Sequence, residues 1–446
     1  MKTLTILLLS ILAFSNIYSQ TWSPVGGGTN WEYSLVVYNN ELYAGEQSGS
    51  GGHGLKKFDG TNWNDLGGID GTVNALAVYN GNLIVGGSFS LAGGMSVLNI
   101  AQWDGTTWSD VGGGPDNIVS ALTVYNGDLI VGGYFTTVEG LNANYIAKYG
   151  NGGWSALGSG TNSQVMALTT YNNKLIAGGF FTTAGSVSAS HIAQWDGSSW
   201  SSLGSGTNSI VYGMTSGNGK LYAGGLFSSA GGISAQGIAS WDGTSWSNLG
   251  SGCSGGFYPY VFSITVYGTD VYSAGLYTIA GGQTCNGIAK WDGTSWSPLG
   301  SGFWSGGSNV FGAYASCIYN NKLVCGGIFS SAGGVGAGSV AQWDGLVMTG
   351  INNNNGNTPD KFSLSQNYPN PFNPSTTIKF SVTKQENVKI TVVNEIGQEV
   401  GTLVNKNFNP GSYEVKWNGS NQSSGVYFYS ISTPSFSETK KMILNK

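Results

Sequence analysis

The chain of 446 residues contains no arginine, two histidines and four cysteines, and only 9% of its residues are charged. Without a guanidinium fork there is no bidentate grip for a carboxylate or phosphate, so sites built on an arginine cluster are excluded. The histidines, His53 and His191, stand alone, and no Cys-His or His-Glu-x-x-His spacing accompanies them, so no metal or cofactor is implied. From 21 to 345 there are 7 lysines against 16 acidic residues, a net charge of −9, which makes nucleic acid an unsuitable partner. No apolar run after the first 20 residues approaches the ~18 needed to cross a bilayer, so no transmembrane segment is expected.

The start of the chain reads differently. Met1-Lys2, the apolar run Leu4 to Phe14 and then Ser19-Gln20 have the order of a secretory signal peptide, taken as residues 1–19, with Ser15 as an alternative cleavage point.

What the chain has in abundance is glycine, 74 residues of it, distributed over seven copies of one unit between Thr21 and Gly345. The aromatic closing each copy falls at Phe58, Trp103, Tyr149, Trp195, Trp241, Trp291 and Trp343, in steps of 45 to 52 residues. Periods of this size belong to propeller blades or long helical repeats. Glycine on this scale among Val, Ile, Thr, Tyr and Trp suits strands and disfavours helices.

Each copy contains four short strands, a to d, exemplified by Val119 to Tyr125, Asp128 to Gly133, Tyr145 to Tyr149 and Trp154 to Leu157. Asn126-Gly127 joins a to b, and Asp-Gly pairs such as Asp104-Gly105 join c to d; both supply the positive backbone angles of a two-residue hairpin. With Asp104-Gly105 at the turn centre, Trp103 pairs with Thr106 and Ala101 with Trp108, which puts both indoles on one face of the blade. The expected fold is therefore all-β: a seven-bladed propeller of four-stranded blades over 20–345. Thr21 to Val25 resembles a lone strand d and the last copy lacks one, so the N-terminal strand is expected to close the ring. The alternative closing strand is Leu346 to Thr349.

All four cysteines lie in the last two copies. Cys253 in a d–a loop and Cys285 in the b–c loop of the same blade share one end of the propeller, which makes a Cys253–Cys285 disulfide plausible in an exported protein. A two-residue Asn320-Asn321 turn would pair Cys317 with Val324 and turn Cys325 to the other face.

A hydrophobic strand ending in Gly-Gly (Gly86-Gly87, Gly132-Gly133, Gly178-Gly179, Gly224-Gly225, Gly326-Gly327), followed by an aromatic and a Trp, resembles the kelch repeat of kelch and galactose-oxidase-type propellers. It departs from that pattern in its short Trp-Asp-Gly-x-x-Trp spacer, and copies 1 and 6 lack the full glycine pair. The resemblance implies the fold and leaves activity open. A galactose-oxidase copper site, which needs two histidines and a tyrosine cross-linked to cysteine, cannot be assembled from these positions.

Beyond an Asn-rich linker at 346–361, residues 362–446 carry net charge of the opposite sign and turn-separated strands that predict a small immunoglobulin-like sandwich. The expected strands are Thr377 to Val382, Lys389 to Val393, Tyr413 to Trp417, Gly425 to Ser432 and Lys440 to Leu444. Asn367-Tyr368-Pro369-Asn370-Pro371-Phe372-Asn373-Pro374, with Gly425, Tyr427, Lys440 and Lys441, resembles the type A C-terminal sorting domain of the type IX secretion system. That resemblance implies export across an outer membrane, with the secretion machinery and its sorting protease as partners and a released or surface-attached product.

Chemistry is scarce. Serine-nucleophile motifs and phosphate-cradling loops are absent, because the glycines sit at turns and strand ends. Glycoside hydrolysis would need two facing carboxylates, for which the variable end offers Asp70, Asp116 and Glu139. The d–a loops entering copies 6 and 7 are lengthened and carry Phe257, Tyr258, Tyr260, Phe303, Trp304 and Phe311. Loops on a rigid scaffold commonly carry binding, and aromatic faces suit sugars or peptide segments. The expected function is a noncatalytic surface module binding a glycan or protein. A polysaccharide-active enzyme and a structural repeat protein without a ligand are the rivals.

Overall fold

The structure is a computed structural model that describes residues 21–27, 31–47, 54–256, 258–306, 311–320, 322–345, 361–384, 386–408, 410–419 and 422–445. The signal segment 1–19, the linker up to 360, Leu346 to Thr349, His53 and Phe257 lie outside them. Every regular element among the described residues is a β-strand.

Residues 22–343 form seven four-stranded antiparallel sheets, each ordered a-b-c-d. Sheet 3 is typical, with Val119–Tyr125, Asp128–Gly133, Ile146–Gly150 and Gly153–Ala156. The a strands pack against one another in sequence, and that of the seventh sheet packs against that of the first. The glycine pair at the end of strand b explains how the sheets approach so closely. A Cβ on Gly132 would lie 2.6 Å from Cγ1 of Val165 in the next sheet. At Gly133 it would meet the Ile118 carbonyl of its own sheet. One glycine therefore admits the neighbouring sheet and the other admits the adjacent strand.

The a–b turns are the expected two-residue turns: Tyr125 opposes Asp128, and Asn126 and Gly127 have φ of 50° and 83°. In the c–d turns the register differs from the expected one by two residues, because Trp103 opposes Trp108 directly. The Asp104 carboxylate accepts hydrogen bonds from the Thr106 and Thr107 amides at 2.7 and 2.8 Å, which moves the turn centre to Gly105-Thr106. The two indoles still share a face, with centroids 5.2 Å apart. The second indole of a pair also ties sheets together: Trp154, Trp200, Trp246 and Trp296 donate Nε1–H to carbonyls of the preceding sheet's d–a segment, as Trp200 does to Leu157 at 2.9 Å.

The seventh sheet is completed by the start of the chain. Trp22–Pro24 pairs with Val340–Trp343, setting Trp22 opposite Trp343. The Asp344 carboxylate accepts from the Thr21 amide and hydroxyl at 2.7 and 3.0 Å, so Thr21 stands where Thr107 stands in the second sheet although 323 residues separate it from its aspartate. Trp22 Nε1–H donates to the Leu299 carbonyl of sheet 6 at 2.8 Å. The closing hairpin thus keeps the strand pairing, the indole bond and the bonds from the residue before the indole to the aspartate, without a covalent turn.

Residues 363–444 form a three-stranded and a four-stranded sheet sharing one core, in which Ile378, Phe380, Val415 and Trp417 meet Ile390, Val392, Tyr429 and Met442. The five expected strands are present, together with Glu399–Phe408 and the short Ser363–Leu364, which the sequence reading missed.

Candidate functional site

Each b–c connection of sheets 2 to 7 contains a small hairpin absent from the sequence reading, such as Leu91–Ala92 with Met95–Ser96. Its Gly-Gly turn, Gly93-Gly94, is the signal that could have revealed it. The d–a segment runs alongside this hairpin: Cys253 pairs with Ala280, Phe303 with Ala332, and single bridges join Pro115 to Val138, Thr161 to Ala184 and Thr207 to Ala230. The d–a and b–c loops therefore lie at one end, and the lengthened loops before sheets 6 and 7 with them.

At this end each a strand begins with a β-bulge, a single extra residue between two paired positions. The extra residues are Tyr33, Asn74, Ser120, Met166, Tyr212, Phe262 and Tyr314. A bulge re-aims its side chain out of the sheet's alternation. Six of these residues, together with neighbours from all seven a strands, line a central cavity of about 290 Å³. The ring is lopsided, since sheets 5, 6, 7 and 1 contribute aromatics while sheets 2, 3 and 4 contribute Asn, Ser and Met.

The aromatic half is in contact throughout. Phe262 stacks on Tyr314 at 4.6 Å, Tyr314 meets Tyr33 edge-on at 5.2 Å, and Tyr212 meets Phe262 at 5.3 Å. Outward from Phe262 the stack continues to Tyr260 at 5.3 Å and Tyr258 at 5.6 Å. Burial first, and neighbouring tyrosines second, push the Tyr212 and Tyr314 hydroxyls up to about 12, so both remain protonated donors. Among the described residues neither hydroxyl has a protein hydrogen-bond partner.

The structure redistributes the expected aromatic rim. Tyr258 and Trp304 are exposed, at 50% and 57%, and Tyr260 and Phe311 are half-buried. Phe303 is a correction: it is buried between Phe329 at 4.4 Å and Trp22 at 5.2 Å, so it braces the closing hairpin and presents no face to a ligand. Trp31, exposed at 48% ahead of the first a strand, belongs to the same end and was missed.

The acidic candidates are occupied by the fold. Asp70 accepts from Ser90 Oγ and from the Ser90 and Leu91 amides, and Asp116 accepts likewise from Thr136 and Thr137. Asn162 and Asn208 do the same in sheets 4 and 5, so this position anchors the small hairpin whether or not it is charged. Burial opposes ionisation of both aspartates, yet these hydrogen bonds outweigh it and hold them below the ordinary carboxylate range, the wrong direction for a general acid. Glu139 is a turn residue with φ of 49°.

The expected Cys253–Cys285 disulfide is also corrected, because all four cysteines are free thiols. Cys253 Sγ lies 3.5 Å from the Ser273 hydroxyl, and Cys285 donates to the Gln283 carbonyl at 3.3 Å, so each thiol has its own partner. Cys317 opposes Val324. His191 is half-buried against the Gly179 carbonyl at 3.2 Å, and burial lowers its proton affinity. No cluster of metal-ligating side chains occurs among the described residues.

In the C-terminal unit the proline-rich motif is tied into the core. The Asn367 amide donates to Tyr429 Oη at 2.8 Å, and its side chain donates to Pro369 O and Thr376 Oγ1. Phe372 is buried against Trp417, and Asn370 accepts from the Ile443 amide at 2.9 Å. Pro369, Pro371, Asn373 and Pro374 continue that loop, with Tyr368 exposed at 82%. Gly425 and Tyr427 lie in the strand that pairs with Ser437–Leu444, where Tyr427 packs on Trp417 and Lys440 pairs with Glu438 beside exposed Lys441.

Three solved structures are similar in part. PorZ, an essential bacterial surface component of the type-IX secretion system of Porphyromonas gingivalis, is 18% identical with a TM-score of 0.44. The alignment covers 94% of this chain, which spans 60% of that one. A fungal alcohol oxidase of the AA5 family, in complex with copper, is 11% identical over 96% of this chain and 100% of that one, with a TM-score of 0.39. A glycoside hydrolase family 43 arabinoxylan arabinofuranohydrolase from Bacillus subtilis is 12% identical over 94% and 96%, with a TM-score of 0.23. No curated protein matches the chain. Residues 366–445 match the secretion system C-terminal sorting domain, which marks the chain for export through type IX secretion to the cell surface or the extracellular space.

Proposed function

We propose that residues 20–345 are a seven-bladed, kelch-like β-propeller serving as a noncatalytic binding module, exported after loss of a signal peptide and carried by an immunoglobulin-like sorting domain over 362–446. The observation that carries this reading is the crowding of aromatics into one sector of one end. Trp31, Tyr258 and Trp304 are exposed there on the approaches to sheets 1, 6 and 7, whose a strands carry the aromatic bulged residues Tyr33, Phe262 and Tyr314. Export supplies the context, since an extracellular glycan or surface protein is what such a face would meet. The hydrogen-bonded state of Asp70 and Asp116 favours binding over hydrolysis.

The test is retention of the purified mature protein on glycan and cell-surface arrays. Retention should be lost when Tyr258, Tyr260 and Trp304 are all replaced by alanine. Unchanged retention of that triple variant would refute this assignment of the face.

A further inference from the structure

We propose that the aromatic half of the central ring, Tyr212, Phe262, Tyr314 and Tyr33, entered along Tyr258 and Tyr260, seats a neutral sugar unit of an extracellular glycan. This rests on the reading of the chain as a binding protein and gives that reading a place and a ligand class.

Four observations converge on it. The cavity of about 290 Å³ lies near the lower end of ligand-pocket volumes, about 300 Å³, which suits one small unit and not a folded partner. Among the described residues no Asp, Glu, Lys or His lines it, and the surrounding sheets carry net negative charge, so an acidic sugar would gain no counter-charge there. Tyr314, Phe262, Tyr260 and Tyr258 are stacked in turn with interplanar angles of 26°, 25° and 27°, a stair of near-parallel faces leading from exposed Tyr258 to the ring. Where the stack opens onto the cavity, at Phe262 and Tyr314, its aromatic surface accepts the C–H surface of a sugar ring. The polar groups beside them, Asn74, Ser263, Ser316 and the free hydroxyls of Tyr212 and Tyr314, offer the donors and acceptors that sugar hydroxyls need.

The bulges make this arrangement rigid. The seven a strands share the bulge itself, while the residue on it varies from Tyr, Phe and Met to Asn and Ser. Ser316 already accepts or donates to Ser263 and Thr265 at 2.8 and 2.7 Å, which fixes the floor beneath Phe262 and Tyr314. A site preorganised in this way loses little side-chain freedom on binding.

The experiment is titration calorimetry of the mature full-length protein with cellotetraose, xylotetraose and mannotetraose. Tetragalacturonate and an unrelated neutral peptide serve as comparisons. At least one neutral tetrasaccharide should bind, and Phe262→Ala or Tyr260→Ala should weaken it about tenfold or more. Tyr212→Phe and Tyr314→Phe, which keep the rings and the packing, should weaken it several-fold by removing a hydroxyl. Undiminished binding in all four variants would overturn the inference. If Trp304→Ala then abolished that binding, the function proposed above would stand with its site on the outer rim. Binding of only tetragalacturonate or only the peptide would overturn the ligand class, and binding of nothing here or on the arrays would overturn both readings.

Discussion

Replacing Trp22 by alanine should open the seam of the seven-sheet ring. The indole is 4% exposed, lies 5.3 Å from Trp343 and 5.2 Å from Phe303, and donates to the Leu299 carbonyl. Removing such a side chain costs about 3–5 kcal/mol. Trp22→Phe keeps the stacking and leaves the Leu299 carbonyl without its donor, a cost of about 1–3 kcal/mol. The strand makes three ladder pairs, with the Thr21–Asp344 and Trp22–Leu299 bonds beside them, and no covalent turn returns it to register. The loss should therefore appear as local opening, about 10²- to 10⁴-fold faster hydrogen exchange at Val340–Trp343 in the alanine variant and about five- to hundredfold in the phenylalanine variant. The matched control is Trp200→Ala, which breaks the equivalent bond to Leu157 inside a covalently closed hairpin and should leave Val340–Trp343 protected. Wild-type exchange rates at Val340–Trp343 in Trp22→Ala would refute the noncovalent latch.

Three further outcomes follow from the same structure. Gly132→Ala would drive a methyl to 2.6 Å from Val165 Cγ1 and should lower stability by about 1–3 kcal/mol in denaturant unfolding, whereas Gly105→Ala, which meets nothing within 4 Å, should cost only the strain of its positive φ. Burial first, and the Glu46 carboxylate second, raise the proton affinity of Glu32 in the folded state above its ordinary value of 4.5, despite Lys56 nearby. The folded protein therefore holds that proton more tightly than the unfolded chain, and the associated stability is lost as pH rises above 4.5. Glu32→Gln should shrink the difference in Tm between pH 5 and pH 8, and an unchanged or larger difference would contradict this. Deleting 362–446 should leave the remainder in the periplasm, detectable by cell fractionation, and normal secretion of that truncation would contradict the role of the sorting domain.

Most of the sheet architecture was legible in the sequence because it is written seven times. The period of the closing aromatics, the Asn-Gly turns and the stray Thr21 to Val25 strand lead directly to four-stranded sheets and to the N-terminal strand as the one that completes the seventh. The c–d register was misread by two residues because the aspartate side chain, which takes two backbone amides, counts as part of the turn and Asn-Gly logic does not include it. Phe303 shows the limit of reading a loop by composition: an aromatic in a glycine-rich insertion covers a seam as readily as it faces solvent. The ring of bulged residues escaped notice for a different reason. A bulge breaks the alternation that marks a strand face, so Tyr212 and Phe262 look like ordinary residues after a valine until the pairing is known. Asp70 and Asp116 looked like chemistry and are scaffolding, as their replacement by Asn162 and Asn208 in later copies hinted.

The proposal of a binding protein is tested most directly by incubating the purified mature chain with a panel of extracellular polysaccharides and measuring bound protein and released reducing ends in the same samples. The account predicts retention on at least one neutral polysaccharide with no release of ends above a protein-free blank. Steady release of reducing ends or unsaturated sugars, abolished by replacing Asp70 or Asp116, would contradict it.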